Sequence, residues 1–392
     1  MADPDTVARL RRAAKAALDL VASAPSSRLA RTTLAERVDL EAVPRPLRDL
    51  VAQAVDGAEP AEPLAFAEVE RVLRDAWGAN PSKVLAELER EPAAVRPASQ
   101  VHRGVDSEGN AVAVKVLRPG LAAAVRADLA VADAVAAIAG GVVPRLDPAA
   151  LAAEVRERLL DELDLEYEAG VQRSFHRALR RHPELGVPAV DGALASEAVL
   201  VSRWIDGAAL PDLEGEPGAR AAELFLRFHV GAALFGTVQA DPDPRDALLD
   251  AGGRLWVLDF GASRRVVPER VALTAAALDA LAADDGRRLG ALLAQLGWLE
   301  PDDGHEALRL ARELAGPLLG ADALLDAAAL RAAGERALDR RAALAGLAVR
   351  SSLAPEDLWP LRMAAQLVAV LATLGARGDW LGLARTALRD GW

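Results

Sequence analysis

Residues 239–261 read QADPDPRDALLDAGGRLWVLDFG, and this stretch decides how the chain of 392 residues is read. Asp241, Asp243 and Asp246 are separated by Pro242 and Pro244. Prolines at that density exclude a regular helix and disfavour an interior strand, so the segment is a fixed loop. Two short apolar runs follow, Ala247–Leu249 and Leu255–Leu258, with Asp250-Ala251-Gly252-Gly253 between them, which predicts a β-hairpin. Closing that hairpin brings Asp246, before it, close to Asp259, after it. Carboxylates gathered at one end of a hairpin and flanked by Gly261 are suited to holding Mg²⁺ against phosphate oxygens. Read as structure alone, the same stretch is an acidic surface turn beside a hairpin.

Working outward, composition narrows the options. The chain is 52% hydrophobic, enough for a substantial core in two or three domains, and its net charge of −12 argues against broad nucleic-acid binding. It has no cysteine and only five scattered histidines, which excludes thiolate chemistry and makes a zinc site improbable on composition. The longest apolar windows, 131–143 and 363–375, contain Asp133 and Gln366 and fall short of the ~18–20 residues a bilayer span needs. With no signal-peptide core in residues 1–20, the expectation is a soluble, cytoplasmic protein. Peripheral membrane contact through the amphipathic segment 6–22 is an alternative to core packing.

Only three of the 46 basic residues are lysines, Lys15, Lys83 and Lys115. A retained lysine in so arginine-rich a chain invites a specific explanation. Lys115 lies in the second of two predicted strands, 98–105 and 111–117, joined by the turn 106–110. There Val112, Val114 and Val116 face one way and Ala113, Lys115 and Leu117 the other. Such a lysine either snorkels at a sheet edge or reaches phosphate in a cleft, and the cleft reading is favoured. A helix entered at Asp147-Pro148 carries residues 161–175, with Leu159, Leu163, Tyr167, Val171 and Phe175 as its buried stripe. Glu162, Asp164 and Glu168 form either a solvated acidic face or, in the sharper reading, a set in which Glu168 partners Lys115. Residues 197–205 predict a strand leading to a hinge at Asp206-Gly207. Residues 1–90 read as helices, including 46–55, 65–77 and 82–90. After Gly261 the chain reads as helix over 268–296, 305–319, 322–347, 355–374 and 380–389.

The order of these pieces follows the protein-kinase plan: a phosphate-binding lysine strand, a catalytic Asp, a metal-binding residue five positions on, a hairpin, then Asp-Phe-Gly. More closely, the chain resembles the UbiB/AarF family of atypical protein-kinase-like proteins over roughly residues 20–375. The resemblance rests on Ser99-Gln100-Val101-His102-Arg103, Ala113-Val114-Lys115-Val116, Arg118-Pro119-Gly120, Glu162-Leu163-Asp164 with Glu168-Ala169, Trp204-Ile205-Asp206-Gly207, and Ala240-Asp241-Pro242-Asp243-Pro244. It implies an α+β, protein-kinase-like two-lobe fold: a helical extension over 1–90, an N-lobe over 91–205 and a C-lobe over 206–392. It further implies ATP and Mg²⁺ as cofactors and a small-molecule or lipid acceptor. Lys115 would hold the phosphates, Glu168 orient the lysine, Asp241 serve as the catalytic-loop aspartate, and Asp246 and Asp259 bind metal. Gln100, Glu162, Asp164, Val201 and Arg203 would line the nucleotide.

The departures are equally specific. Residues 28–31 read Arg-Leu-Ala-Arg where the family has Lys-x-Gly-Gln. Gln239, Asp243 and Arg245-Asp246 stand for His, His and Gly-Asn in the catalytic loop, and Arg96-Pro97 stands where small residues are usual. A carboxylate at position 246 is a competent Mg²⁺ ligand but adds negative charge near the phosphates. The expectation is therefore an ATPase or phosphotransferase. A catalytically weak pseudokinase is the alternative, and an aminoglycoside-type antibiotic phosphotransferase, which the acidic helix and hinge motifs fit less well, a third reading.

Overall fold

The structure is a computed structural model that describes residues 39–56, 58–121 and 163–392, together with scattered positions from 123 to 161. The segments 6–22 and 28–31, and Glu162, lie outside the described residues. Two helices open the described chain, α1 (Arg45–Val55) and α2 (Phe66–Trp77). The expected helix over 82–90 is not formed. Asn80 caps a single 3-10 turn at Pro81–Lys83, and the chain then pairs as β1 (Glu87–Leu88) with the edge of a sheet. Pairing at that edge, together with burial of Leu85, overrides a local preference for helix.

That sheet contains β1, β2 (Ala94–Val95), β3 (Ser99–Val105), β4 (Ala111–Leu117) and β6 (Val199–Arg203), with β3, β4 and β6 successively antiparallel. The β3–β4 turn is set by Asp106, whose Oδ1 accepts from the Glu108 and Asn110 amides at 2.8 Å, and by Gly109 at φ +89°. Val112, Val114 and Val116 are buried as their alternation predicts, packing with Val199 and Val201 against Val69 and Leu73 of α2. Lys115 is left on the opposite face.

The long acidic helix begins afresh at Leu165. Asp164 accepts from the amides of Glu166 and Tyr167, at 2.9 and 3.1 Å, and so N-caps α3 (Leu165–Leu179). Its buried face is Leu165, Glu168, Ala169, Gln172, Phe175 and Leu179, so the expected stripe through Tyr167 and Val171 is rotated and takes Glu168 inward. Leu165 and Ala169 pack on Leu200 of the N-lobe sheet, whereas Phe175 and Leu179 belong to the large C-lobe core.

The C-lobe is built on α4 (Gly215–Gly231) and a small sheet ordered β5 (Leu185–Gly186), β10 (Leu255–Val257), β9 (Ala247–Leu249) and β7 (Ala208–Ala209). The β9–β10 pair is the predicted hairpin, in register Ala247↔Val257. A separate ladder joins β8 (Thr237–Gln239) to β11 (Ser263–Arg265). Helices α5 (Pro268–Ala282), α6 (Gly286–Gln295), α7 (Gly304–Ala315), α8 (Ala327–Asp339), α9 (Arg341–Arg350), α10 (Leu358–Thr373) and α11 (Trp380–Asp390) complete the lobe. The expected single helix over 268–296 breaks at Asp284, whose φ is +56°, and restarts where Asp285 caps the Arg288 amide. Among the described residues, no helix is long and apolar enough to cross a membrane.

Candidate active site

Lys115 projects from the cleft face of β4 and is met by two carboxylates. Its Nζ donates to both oxygens of Glu168 at 2.8 Å and to Asp259 Oδ2 at 2.9 Å. Glu168 is 1% exposed, and its Oε1 also accepts from the Phe260 amide at 3.4 Å. Asp259 Oδ1 takes the Gly261 amide at 2.9 Å. Burial works against the charged lysine, but the Asp259 and Glu168 carboxylates outweigh it and hold the Lys115 ammonium well above its ordinary value. Burial, then the Asp259 charge, pushes Glu168 up to about 7 against the pull of Lys115.

The acidic loop stands on the β8–β11 ladder, with the Ala240 amide donating to Ala262 O at 2.7 Å. Gln239, where the family pattern has histidine, braces the loop from within. Its side chain donates to Asp241 O at 3.0 Å and accepts from the Asp241 amide at 3.2 Å. The hairpin brings Asp246 and Asp259 together as its spacing requires, since the Leu258 amide donates to Asp246 O at 2.9 Å. Burial and the neighbouring Asp259 push Asp246 up to about 6, against Arg96, which donates to its Oδ1 at 3.0 Å. Asp243 is buried, and Arg245 donates to it through Nη2 at 2.6 Å. Asp241 Oδ1 accepts from Arg362 Nη2 and from Gln366 Nε2, each at 2.9 Å.

Several expected nucleotide contacts fall elsewhere. Gln100 is fully buried, with Oε1 accepting from the Leu64 amide at 2.7 Å and Nε2 2.8 Å from His102 Nε2. His102 Nδ1 lies 2.8 Å from Glu89 O, which fits a donating Nδ1–H and an accepting Nε2. Gln100 therefore ties the segment ahead of α2 to the sheet instead of reaching the cleft. Asp164 spends its Oδ1 on the α3 cap. The backbone of Val201 and Arg203 is engaged by the segment 189–191: Val201 O accepts from the Asp191 amide and the Arg203 amide donates to Ala189 O, at 2.9 and 2.8 Å. The chain leaves the sheet only after Trp204, whose amide donates to Ala111 O at 3.0 Å. Gly207 then passes so close to β9 that an added Cβ would stand 2.8 Å from Leu249 O.

Three residues that sequence reasoning did not place now enter the site. Arg96 comes from the turn between β2 and β3, while Arg362 and Gln366 are one helical turn apart on α10. The latter two carried a signal, because they are polar positions inside an otherwise apolar run, 358–373.

A strand lysine bound to a helix glutamate and to the aspartate of Asp-Phe-Gly is a protein-kinase arrangement. The model of the ABC1 atypical kinase-like domain matches residues 57–293, more than half of the chain. This chain belongs to the ABC1 family. Its relatives include an uncharacterized protein of Synechocystis, 30% identical over 241 residues, covering 59% of this chain and 35% of the relative. A probable protein kinase UbiB of Marinobacter nauticus is 27% identical over 256 residues, 61% of this chain and 46% of the relative. A second probable UbiB, from Pseudomonas aeruginosa, is 34% identical over 185 residues, 46% of this chain and 34% of the relative. The ABC1 chain thus spans about a third to a half of the length of these relatives. The fold is also that of a solved Mycobacterium tuberculosis protein, Rv3197, in complex with erythromycin. The two superpose with a TM-score of 0.64 at 21% identity, over 97% of this chain and 96% of the other.

The donor set of this ABC1 site fits a magnesium nucleotide. Among the described residues, no three acidic or histidine side chains converge as a closed metal cage. Mg²⁺ does not require one, since it is held by one or two carboxylates beside phosphate oxygens and water. Asp259 would offer one such carboxylate, with Asp246 beside it, and each already draws a cationic side chain, Lys115 and Arg96.

Proposed function

We propose that the chain binds ATP with Mg²⁺ in the cleft between β4 and the β9–β10 hairpin, and hydrolyses it or passes its phosphoryl group to a small molecule or lipid. The observation that carries this reading is the Lys115–Glu168–Asp259 constellation, a half-buried ammonium held at 2.8–2.9 Å by a buried glutamate and the aspartate of Asp-Phe-Gly. A half-buried lysine with two carboxylate partners is more than a packed surface pair requires, and it would meet phosphate once Asp259 turns to metal.

Bound Mg²⁺ would neutralise charge developing on the phosphate oxygens. The rest falls to the chain's own side chains. Glu168 fixes the position of Lys115, and the Gly261 amide fixes the orientation of Asp259. Asp241 orients the acceptor hydroxyl or a water, steered by Arg362 and Gln366. Catalysis on this reading is positioning and charge stabilisation.

A second reading, a nucleotide-binding pseudokinase, is favoured by the ties already made to Asp241 and Asp246 by Arg362 and Arg96. Calorimetric titration of ATP with and without Mg²⁺, on the wild type and Asp259→Ala, tests both. Mg²⁺-dependent binding lost in the variant supports the nucleotide site, and its absence in both proteins overturns it. Phosphate release then separates the readings. Acceptor probes should include a lipid extract and, because the M. tuberculosis neighbour was solved with it, erythromycin.

A further inference from the structure

We propose that the Arg96 guanidinium is a fixed cation of the phosphate site, standing at Asp246 in place of a second divalent ion, so that the site takes one metal ion per nucleotide. The inference rests on the nucleotide reading above and specifies its metal content. Arg96 Nη2 lies 3.0 Å from Asp246 Oδ1, between residues 150 positions apart in the chain. Its backbone is held at both ends. The Arg96 amide donates to Ser99 O at 2.8 Å, and Arg96 O accepts from Arg118 Nε at 3.2 Å. Arg118 is anchored in turn, Nη2 donating to Glu62 O at 2.6 Å. The guanidinium is thus delivered across the cleft from a braced turn of the N-lobe, with side-chain exposures of 26% for Arg96 and 25% for Asp246.

Charge counting points the same way. Asp241 is paired with Arg362 and Asp243 with Arg245. Among the described residues, the Glu168, Asp259 and Asp246 carboxyls then share the cationic side chains of Lys115 and Arg96. One divalent ion at Asp259, arriving with the phosphates, suits that balance. A second at Asp246 would have to displace a planar donor that matches the carboxylate and cannot be deprotonated. The added acid at position 246 and the added base at position 96 are therefore one unit, with the arginine doing permanently what a dissociable ion would otherwise do.

The test counts ions directly. Wild type, Arg96→Ala and Arg96→Lys are each mixed one-to-one with the non-hydrolysable analogue AMP-PNP and titrated with Mn²⁺, free ion being read by electron paramagnetic resonance. Thermal melts check that each variant is folded, and Arg96→Lys keeps the charge if the alanine variant is not. One Mn²⁺ per complex in the wild type and in Arg96→Lys, and two in Arg96→Ala, is the expected result. Two in the wild type, or one in a folded Arg96→Ala, overturns the assignment. If ultrafiltration shows that neither wild type nor variants retain AMP-PNP with Mn²⁺, the nucleotide reading itself fails. Retention with the wrong count fails the role of Arg96 alone.

Discussion

Replacing Lys115 by methionine removes, among the described residues, the cation hydrogen-bonded to Glu168, a carboxylate 1% exposed to solvent. Breaking a buried pair from one side leaves a charge without a counter-ion, here with the Phe260 amide as its remaining donor among the described residues, and the cost is about 3–5 kcal/mol. Glu168 has an escape, because burial and the nearby Asp259 already push its carboxyl up to about 7. Without the ammonium it rises further, and protonation relieves the penalty by ~1.4 kcal/mol for each pH unit below its new value. The sign follows from linkage: a carboxyl whose folded pKa lies above its unfolded value near 4.5 binds more protons when folded, so its contribution falls as pH rises through that window. Lys115→Met should therefore lose about 3–5 kcal/mol at pH 8 and clearly less at pH 5.5, measured by urea unfolding with tryptophan fluorescence. Adding Glu168→Gln, which keeps an acceptor for the Phe260 amide, should recover more than half of the loss. A loss under about 1 kcal/mol at pH 8, or strict additivity in the double variant, would refute a buried, coupled pair.

Other consequences are open to simple assays. His229 is buried, which pushes its imidazole down to about 4 from 6.5, although it bonds Phe225 O. Stability is then complete above pH 6.5 and drains away by about 3 kcal/mol as pH falls to 4, a slope that His229→Gln should flatten in pH-dependent melts. Asp357 is 6% exposed and accepts from Arg270 Nε at 2.7 Å and Trp298 Nε1 at 2.6 Å. Asp357→Ala should cost about 3 kcal/mol in urea unfolding without changing nucleotide affinity. Arg362→Met frees Asp241 from one of its donors, and phosphate release should fall about 10- to 100-fold with ATP affinity unchanged, since only positioning is lost. An increase in release would instead mark Arg362 as a restraint on Asp241.

Both hairpins could be read from the sequence, because turn chemistry and two-residue alternation are local. Lys115 could be read because it is a rare lysine in an apolar strand, and Glu168 because it sits on an acidic helix that the family resemblance pairs with it. Gln100 shows where such reading stops. A polar side chain on a strand looks the same in sequence whether it meets a ligand or a buried histidine, and only the packing of the segment at Leu64 decides. Arg96 and Arg362 reach their aspartates across 150 and 121 residues, separations at which periodicity carries no information. The misplaced helices share a cause. Sheet-edge pairing at Glu87–Leu88 and a left-handed aspartate at 284 are tertiary and conformational events that an apolar pattern does not encode.

Helix α3 couples two measurements to one rod. Glu168 sets where the N-lobe lysine ends, and Phe175, two turns further on, packs at a tilt on Phe260 with ring centroids 5.0 Å apart and so sets where Asp259 begins. The cleft is phased by this spacing. One residue inserted between 168 and 175 would turn the two contacts out of step by about 100°, although neither side chain had changed. Any swing of the upper lobe must likewise carry the phenylalanine core with it or twist about the helix axis. The span from 168 to 175 is thus a calibrated length, and its tolerance to insertion would measure how much slack the site has.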